Sequence, residues 1–250
     1  MNKFMDFQEV ESPAFKDIDR ALEDLIFRSY GALGDIYYRY RFKKNRVSYI
    51  SENRQWEYPW AILNSHLKKD MRVLDAGCGG SLLLAYLYYQ KCICYGIDNT
   101  FFIDAINTIP VRLRCRIAMA LSRIYPFYYL IYPHSNEWLS NIHRVLRIPI
   151  HYIAADSSYM PFCDNAFDRI FCISVIEHLS REQMLKTAQE FHRILRPGGL
   201  VIMTVDCWGT GLGWQDFIQE SGLRIFGESD FTLPQNNRRD FNVVGVVLQK

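Results

Sequence analysis

A short apolar run that passes into a glycine-rich turn, at residues 71–81, constrains the fold more than any other stretch of this chain. The run ends at Asp75, and three glycines follow within five residues, which is typical of a buried parallel strand that turns sharply into a helix. Residues 82–89 are rich in helix formers, so the turn directs the free N–H groups of a helix N-terminus toward a ligand. The glycines let the backbone approach that ligand closely.

A dinucleotide site is the familiar interpretation of such a turn, and two details disfavour it. Leu82 stands where the G-x-G-x-x-G pattern has its third glycine, and Asp75 places a carboxylate where a pyrophosphate would lie. A carboxylate there repels a phosphate and attracts ammonium and sulfonium charges. Those charges describe the methionine end of S-adenosylmethionine.

The segment Leu-Asp75-Ala-Gly77-Cys-Gly79 resembles motif I of the class I S-adenosylmethionine-dependent methyltransferases, a strand that ends in Leu-Asp-x-Gly-Cys-Gly-x-Gly. Ser81 replaces the last glycine of that motif. The segment Leu-Arg-Pro-Gly-Gly-Leu at 195–200 is also typical of the family. The resemblance covers roughly residues 50–250. It implies an α/β, Rossmann-like, seven-stranded and mostly parallel sheet with helices on both faces, and S-adenosyl-L-methionine as cofactor.

The resemblance also implies which residues bind the cofactor. Asp98 ends a second predicted strand 23 positions after Asp75, close to the spacing of about 20 at which a βαβ unit delivers a carboxylate to a ribose. A cap for the following turn is the alternative role for Asp98. In the family, an aspartate at the position of Asp156 accepts from the adenine amino group. The predicted cofactor-binding residues are Asp75, Gly77, Cys78, Gly79, Asp98, Asn99, Asp156, Ser157 and Ser174.

Methyl transfer from a sulfonium is an in-line displacement, so such an enzyme mainly has to position the acceptor. His178, which follows the fourth predicted strand, is the candidate catalytic residue, either as a base or as an orienting hydrogen-bond partner. Tyr58, Trp208 and Trp214 are predicted to bind the acceptor, and the alternative for Tyr58 is a seal at the domain edge.

Metal-dependent relatives of the family carry a Glu-x-x-Glu-His motif, and the corresponding segment here ends in Glu177-His178. Ser174 stands where the first glutamate of that motif would be. Because this replacement removes a hard oxygen ligand, no metal is expected.

The predicted domain organisation is an N-terminal helical extension at 1–50 and a methyltransferase domain at 51–250. The domain contains a predicted helical insertion before strand three, at about 105–148, which makes the separation of Asp98 and Asp156 about twice what the family needs. The insertion is basic and aromatic. We interpret it first as a lid over the substrate, with peripheral membrane contact through 111–133 or an oligomer surface as alternatives.

Composition narrows the class of function. The formal net charge of +2 disfavours a nucleic-acid partner, although the basic and aromatic stretch at 37–46 is either an RNA or membrane contact or a solvated helix face. The odd number of cysteines, seven, favours reduced thiols, and no apolar run approaches a membrane span, so a cytoplasmic protein is expected.

The sequence therefore predicts a methyltransferase acting on a small-molecule or lipid-like acceptor. The alternatives are an RNA methyltransferase and a catalytically inactive, cofactor-binding partner subunit. The acceptor atom and the oligomeric state are left open, since one fold serves methyl transfer to oxygen, nitrogen and carbon.

Overall fold

The computed structural model describes residues 1–29, 50, 52–79, 82–99, 146–208, 213–234 and 241–250. The basic stretch at 37–46 and nearly all of the predicted insertion at 105–148 lie outside the described residues. The roles proposed for the insertion, as a lid, a membrane contact or an oligomer surface, therefore stay predictions. Within the described ranges, no helix combines the length and the apolar composition needed to cross a bilayer.

A nine-stranded sheet forms the centre of the described structure. Its strands are β1 (Asn2–Phe4), β2 (Arg72–Ala76), β3 (Ile93–Asp98), β4 (His151–Ala154), β5 (Phe167–Ile173), β6 (Leu195–Trp208), β7 (Arg224–Ile225), β8 (Ser229–Asp230) and β9 (Phe241–Gln249). The helices are α1 (Pro13–Ser29), α2 (Glu52–Asn64), α3 (Leu82–Tyr89), α4 (Arg181–Ile194) and α5 (Gly213–Ser221), with 3₁₀ turns at Phe7–Glu11 and Ile176–His178.

The strand order β4-β3-β2-β5-β6-β9 confirms the predicted Rossmann-like, mostly parallel sheet. The pairs from β4 to β6 are all parallel, and β9 is antiparallel to β6. The far side of β9 is shared by β7 and by β1, and β8 continues the sheet beyond β1. Seven strands match the predicted sheet, and β1 and β8 are additional. The first residues of the extension thus form a strand, which the predicted helical extension did not include.

Helices pack on both faces of the sheet, and its strands are therefore buried on both sides. On one face, α4 and α5 pack through Phe191 and Phe217. On the other face, α2 and α3 pack through Trp56, Trp60 and Leu83. The near-continuous apolar runs of β2 and β5 are the sequence signature of strands buried in this way.

Two helices begin at residues whose local sequence explains the start. Pro13 is the first residue of α1, where its missing N–H is not needed. Ser180 caps α4, and the Ser180 and Gln183 side chains each bond the other's backbone N–H in a capping box.

Candidate cofactor and acceptor site

A cavity of about 690 Å³ lies at the carboxyl ends of β2, β3, β4 and β5. Ligands bind at this edge in open α/β sheets, and the volume is within the range of small-molecule sites. The described lining residues are Gly77, Ile97, Asp98, Asn99, Ala155, Asp156, Ser157, Ser174, Val175, His178, Leu179 and Gln183. Six of the nine predicted cofactor-binding residues and His178 thus line one cavity.

The turn after β2 needs its first glycine for two reasons. Gly77 has a φ of 75°, in the left-handed region that side chains disfavour. A Cβ atom at Gly77 would also lie 2.5 Å from Val175 Cγ2, so the end of β5 packs directly on the turn. The N–H groups of Gly77 and Cys78 both donate to the carbonyl of Ile97, at 2.9 and 3.0 Å, and this ties the turn to β3.

Asp98, the last residue of β3, bonds the same turn, and its carboxylate can accept further hydrogen bonds. Its Oδ2 accepts from the Gly79 N–H at 2.9 Å, and its Oδ1 accepts from the Asn99 N–H at 2.8 Å. An ionised carboxylate offers about four lone-pair sites, so each oxygen can accept a further hydrogen bond. Asp98 therefore combines the capping role that the sequence left open with the ability to accept from a pair of hydroxyls.

Asp156 and Ser157 follow β4 at the other end of the cavity. Asp156 Oδ1 accepts from the Ser158 N–H at 2.8 Å and from the Ser158 hydroxyl at 2.7 Å, and these bonds lower the pKa of Asp156. The Ser157 hydroxyl lies 3.0 Å from Thr187 Oγ1 on α4. Asp156 Oδ2 and the backbone of Ser157 are the groups left for a ligand.

Asp75, Cys78 and Gly79 lie beside the cavity and are not among its lining residues. Asp75 is 4% exposed, and burial raises its pKa to about 7. The Arg54 charge opposes that rise, and the Asp98 charge adds to it. Burial raises the pKa of the Cys78 thiol as well, so this thiol is neutral at physiological pH.

Sequence reasoning missed the two charged residues of α2 that reach the end of β5. Glu57 is fully buried, and it accepts hydrogen bonds from Arg54 Nη1 at 2.7 Å, from Thr204 Oγ1 at 2.7 Å and from the Ser174 hydroxyl. Arg54 Nη1 also donates to Ser174 Oγ at 3.2 Å. Both α2 side chains thus bond the Ser174 hydroxyl, and the Ser174 N–H donates to the Thr204 carbonyl at 2.9 Å.

The signal for this pair was present in the sequence. Arg54 and Glu57 stand three positions apart in a segment that is otherwise rich in tryptophan and tyrosine. A glutamate between Trp56 and Tyr58 indicates a buried charge, which needs a partner on the same helix face or beyond it.

Two more carboxyl groups lie near His178. Glu177 Oε1 accepts from the Asp206 N–H at 3.1 Å, and burial raises the pKa of Glu177 to about 7. Burial also raises the pKa of Asp206, against the opposing charges of Arg54 and His178. Glu177 Oε2 and Asp206 Oδ1 are buried with no hydrogen-bond partner among the described residues. Neither Glu177 nor Asp206 is among the described lining residues of the cavity, so these carboxyl groups act on a ligand there only through space.

Two of the three aromatic residues predicted to bind the acceptor, Tyr58 and Trp214, lie on different helices and outside the cavity lining. Tyr58 is on α2, with the Arg54 guanidinium 5.6 Å from its ring centroid, and burial raises the pKa of its hydroxyl to about 12. Trp214 is buried on α5 with its ring 4.9 Å from that of Phe231, outside the cavity lining. Trp208 ends β6, and its side chain lies outside the described part of the chain. Their contact with an acceptor stays a prediction.

Part of the chain is similar in sequence to a known family. Residues 131–203, which include β4, β5 and α4, match the family model described as "Methyltransferase domain". An uncharacterised protein of Methanocaldococcus jannaschii is 35% identical over 65 residues, which is 26% of this chain. The matched segment spans 28% of the length of that relative.

Two solved structures share the fold. Geranyl diphosphate C-methyltransferase from Streptomyces coelicolor superposes with a TM-score of 0.54 at 12% identity, over 96% of this chain and 98% of that chain. The [4+2]-cyclase SpnF superposes with a TM-score of 0.51 at 17% identity, over 77% of this chain and 80% of that chain. At these identities the likeness is one of fold.

Proposed function

We propose that this chain is a class I S-adenosylmethionine-dependent methyltransferase that transfers a methyl group to a small-molecule or lipid-like acceptor, and its fold and partial family match support this. The observation that carries the proposal is the cavity at the carboxyl edge of the sheet. There the Gly77 turn, Asp98 and Asp156 come from the ends of three adjacent strands and line one space. Their order suits the methionine, ribose and adenine parts of one cofactor.

Each group has a defined task in this proposal. Asp98 accepts hydrogen bonds from the two ribose hydroxyls, and Asp156 accepts one from the adenine amino group. The carboxyl groups of Asp75 and Glu177 favour the ammonium and sulfonium charges. S-adenosylmethionine supplies an activated methyl group on its sulfonium. The chain's own contribution is to hold the cofactor and the acceptor in one geometry and to exclude water.

His178 is the residue proposed to handle the acceptor proton. It lines the cavity on the 3₁₀ turn after β5. A neutral imidazole accepts a proton near pH 7, so His178 serves an acceptor whose attacking atom carries one. For other acceptors it orients the substrate by a hydrogen bond.

A small or lipid-like acceptor fits the lining of the cavity. Ile97, Val175 and Leu179 supply apolar surface beside the polar groups, as small-molecule sites do. Among proteins of this fold, one acts on geranyl diphosphate, as its name states. An RNA acceptor requires a continuous positive surface, and the net charge of +2 gives this alternative little support.

Calorimetric titration of S-adenosylmethionine tests the proposal. Asp98→Asn keeps a carbonyl acceptor for Gly79 and loses the charge and part of the acceptor capacity, so we expect cofactor affinity to fall on the order of tenfold or more. Asp17→Asn, an exposed carboxylate paired with Arg20 on α1, is the matched control and should bind as the wild type does.

Turnover is then measured as S-adenosylhomocysteine released with isoprenoid diphosphates, phenols and amines as acceptors. Release that depends on an acceptor and falls in His178→Ala supports methyl transfer. No binding of S-adenosylmethionine by the wild type would contradict the proposal. Tight binding without release for any acceptor would favour the cofactor-binding partner subunit.

A further inference from the structure

We propose that Glu177 is a positioning residue for His178: its side chain attaches the 3₁₀ turn after β5 to strand β6 and thereby holds the imidazole at the cavity. The inference rests on the proposed function, in which His178 handles the acceptor, and it gives Glu177 a task that requires no charge.

Strand β6 extends beyond the end of β5. The last pair between these strands is Ile173 with Thr204, and β6 continues to Trp208. The Asp206 N–H therefore lies past the last β5 residue that pairs with β6. Glu177 Oε1 accepts from that N–H at 3.1 Å. The side chain thus satisfies a backbone donor of β6 at the point where the β5 chain has already turned away from the sheet.

The near end of the turn is fixed to β6 as well. Ser174 has a φ of 51°, in the left-handed region that residues other than glycine rarely adopt. Such a conformation persists where its surroundings determine it. The Ser174 N–H donates to the Thr204 carbonyl at 2.9 Å, and its hydroxyl donates to the buried Glu57. The turn is therefore tied to β6 at its start by Ser174 and near its end by Glu177.

The position of His178 depends on the backbone that carries it. The His178 N–H donates to the Val175 carbonyl at 3.0 Å, within the turn. Its side chain is exposed and makes no hydrogen bond to another residue in the described ranges. The hydrogen bonds of a short 3₁₀ turn have poor geometry, so the bond from Glu177 to β6 adds a restraint that the turn itself lacks. A fixed turn keeps the imidazole in one geometry toward an acceptor.

The positioning bond and the charge of Glu177 can be separated by substitution. Acceptance of the Asp206 N–H requires a carbonyl oxygen, which glutamine also has, whereas attraction of the cofactor's positive charges requires an ionised carboxylate. Glu177→Gln therefore keeps the bond and loses the charge. Glu177→Asp keeps the charge, and its side chain is one methylene too short to keep the bond.

Steady-state release of S-adenosylhomocysteine by the wild type, Glu177→Gln and Glu177→Asp tests the inference. The acceptor is the isoprenoid diphosphate, phenol or amine that the wild type methylates fastest. We expect Glu177→Gln to raise the KM for S-adenosylmethionine and to keep kcat within about threefold. Glu177→Asp should lower kcat on the order of ten- to hundredfold, with a KM close to that of the wild type. In the His178→Ala background, Glu177→Asp should lower kcat no further, because it acts through His178.

Amide hydrogen exchange of the unliganded protein, followed by NMR, tests the bond without an acceptor. The amides of Asp206 and His178 should exchange on the order of tenfold faster in Glu177→Asp, and at nearly the wild-type rate in Glu177→Gln. Glu182→Gln, on an exposed glutamate that pairs with Lys186, is the control and should leave both amides unchanged.

A loss of kcat in Glu177→Gln equal to or greater than that in Glu177→Asp would assign the role of Glu177 to its charge and overturn the inference. Unchanged exchange of the Asp206 and His178 amides in Glu177→Asp would also overturn it. Both results leave the proposed function intact. A wild type that binds no S-adenosylmethionine would overturn the proposed function, whereas the exchange rates would still decide whether Glu177 fixes the turn.

Discussion

Single carboxyl groups determine the charge of this site, and burial determines the charge of those groups. Asp75 ends β2 at 4% exposure, and burial raises its pKa to about 7. Burial raises the pKa of Glu177 to about 7 as well. Near neutral pH both groups are therefore partly protonated in the unliganded protein, and a nearby cation would shift both toward the ionised form.

The first prediction is that binding of S-adenosylmethionine releases protons. The ammonium and sulfonium charges lower the pKa of Asp75 and Glu177 in the complex, so the free protein holds more protons than the complex below about pH 7. Affinity should therefore rise as the pH increases from about 6 to 7, and level off above about pH 8. Calorimetry in two buffers of different ionisation enthalpy measures the proton count.

The variant Asp75→Asn distinguishes the protons released by Asp75 from those released by Glu177. The amide keeps the shape of the side chain and does not titrate, so the variant should release fewer protons and show a shallower dependence of affinity on pH. Proton release equal to that of the wild type would assign the effect to Glu177 alone. A pH-independent affinity in the wild type would contradict the prediction.

At the scale of elements, helix α2 connects the cofactor site to the far side of the sheet. Arg54 reaches the end of β5, Glu57 bonds Thr204 within β6, and Trp60 packs on β9. Trp56 stacks on Trp60 with ring centroids 5.5 Å apart, which makes this face of the helix rigid and bulky. A shift of α2 against β9 would therefore move the groups at the cavity.

The second prediction concerns the contact of α2 with β9. A Cβ atom at Gly245 would lie 2.6 Å from Trp60 Cε2, so the strand needs a glycine for the close approach of the indole. Gly245→Ala should destabilise the protein by about 1–3 kcal/mol through overpacking. It should also weaken binding of S-adenosylmethionine, because α2 carries the Arg54 and Glu57 side chains that bond Ser174 in the cavity wall. Urea unfolding and calorimetry measure the two effects.

Gly213→Ala is the matched control, since the nearest atom to its Cβ would be Met184 Sδ at 3.7 Å, an ordinary contact. Its stability should equal or exceed that of the wild type, because alanine is the better helix former at the start of α5. Equal losses in Gly245→Ala and Gly213→Ala would refute the role assigned to the indole.

At the scale of the whole molecule, the first and last described segments pair with each other in the sheet. β1 pairs with β9, and Asn2, the first residue of β1, is fully buried. The Asn2 amide nitrogen donates to the carbonyls of Phe226 and Glu228, at 2.9 and 3.0 Å, and its Oδ1 accepts from the Val247 N–H. One side chain thus satisfies three backbone groups that are far from it in sequence.

The third prediction follows from those three bonds. Asn2→Ala leaves the carbonyls of Phe226 and Glu228 and the Val247 N–H without this partner, so we expect a loss of about 2–4 kcal/mol in the free energy of unfolding. Lys3→Ala removes a neighbouring, partly exposed ion pair with Glu9 and should cost less than about 1 kcal/mol. Similar losses in the two variants would contradict this role for Asn2.

The fold and much of the candidate site could be predicted from sequence because their signals are local. The strand, the glycines and Asp75 of motif I are consecutive, and Asp98 follows at the spacing of one βαβ unit. A helix cap such as Ser180 is also encoded within four residues. These local motifs carry the resemblance that implied the parallel sheet and its helices, and six of the nine predicted residues line the cavity at the sheet edge.

Only the tertiary structure decided which distant groups meet at that edge. Arg54 and Glu57 contact Ser174 and Thr204, more than a hundred positions along the chain, and nothing in their local sequence specifies those partners. The same holds for β1, whose three residues carry no strand pattern and form a strand through pairing with β9. Burial by other elements sets the charge of Asp75 and Glu177. Packing between distant segments determines contacts and local dielectric, and these complete the site that motif I begins.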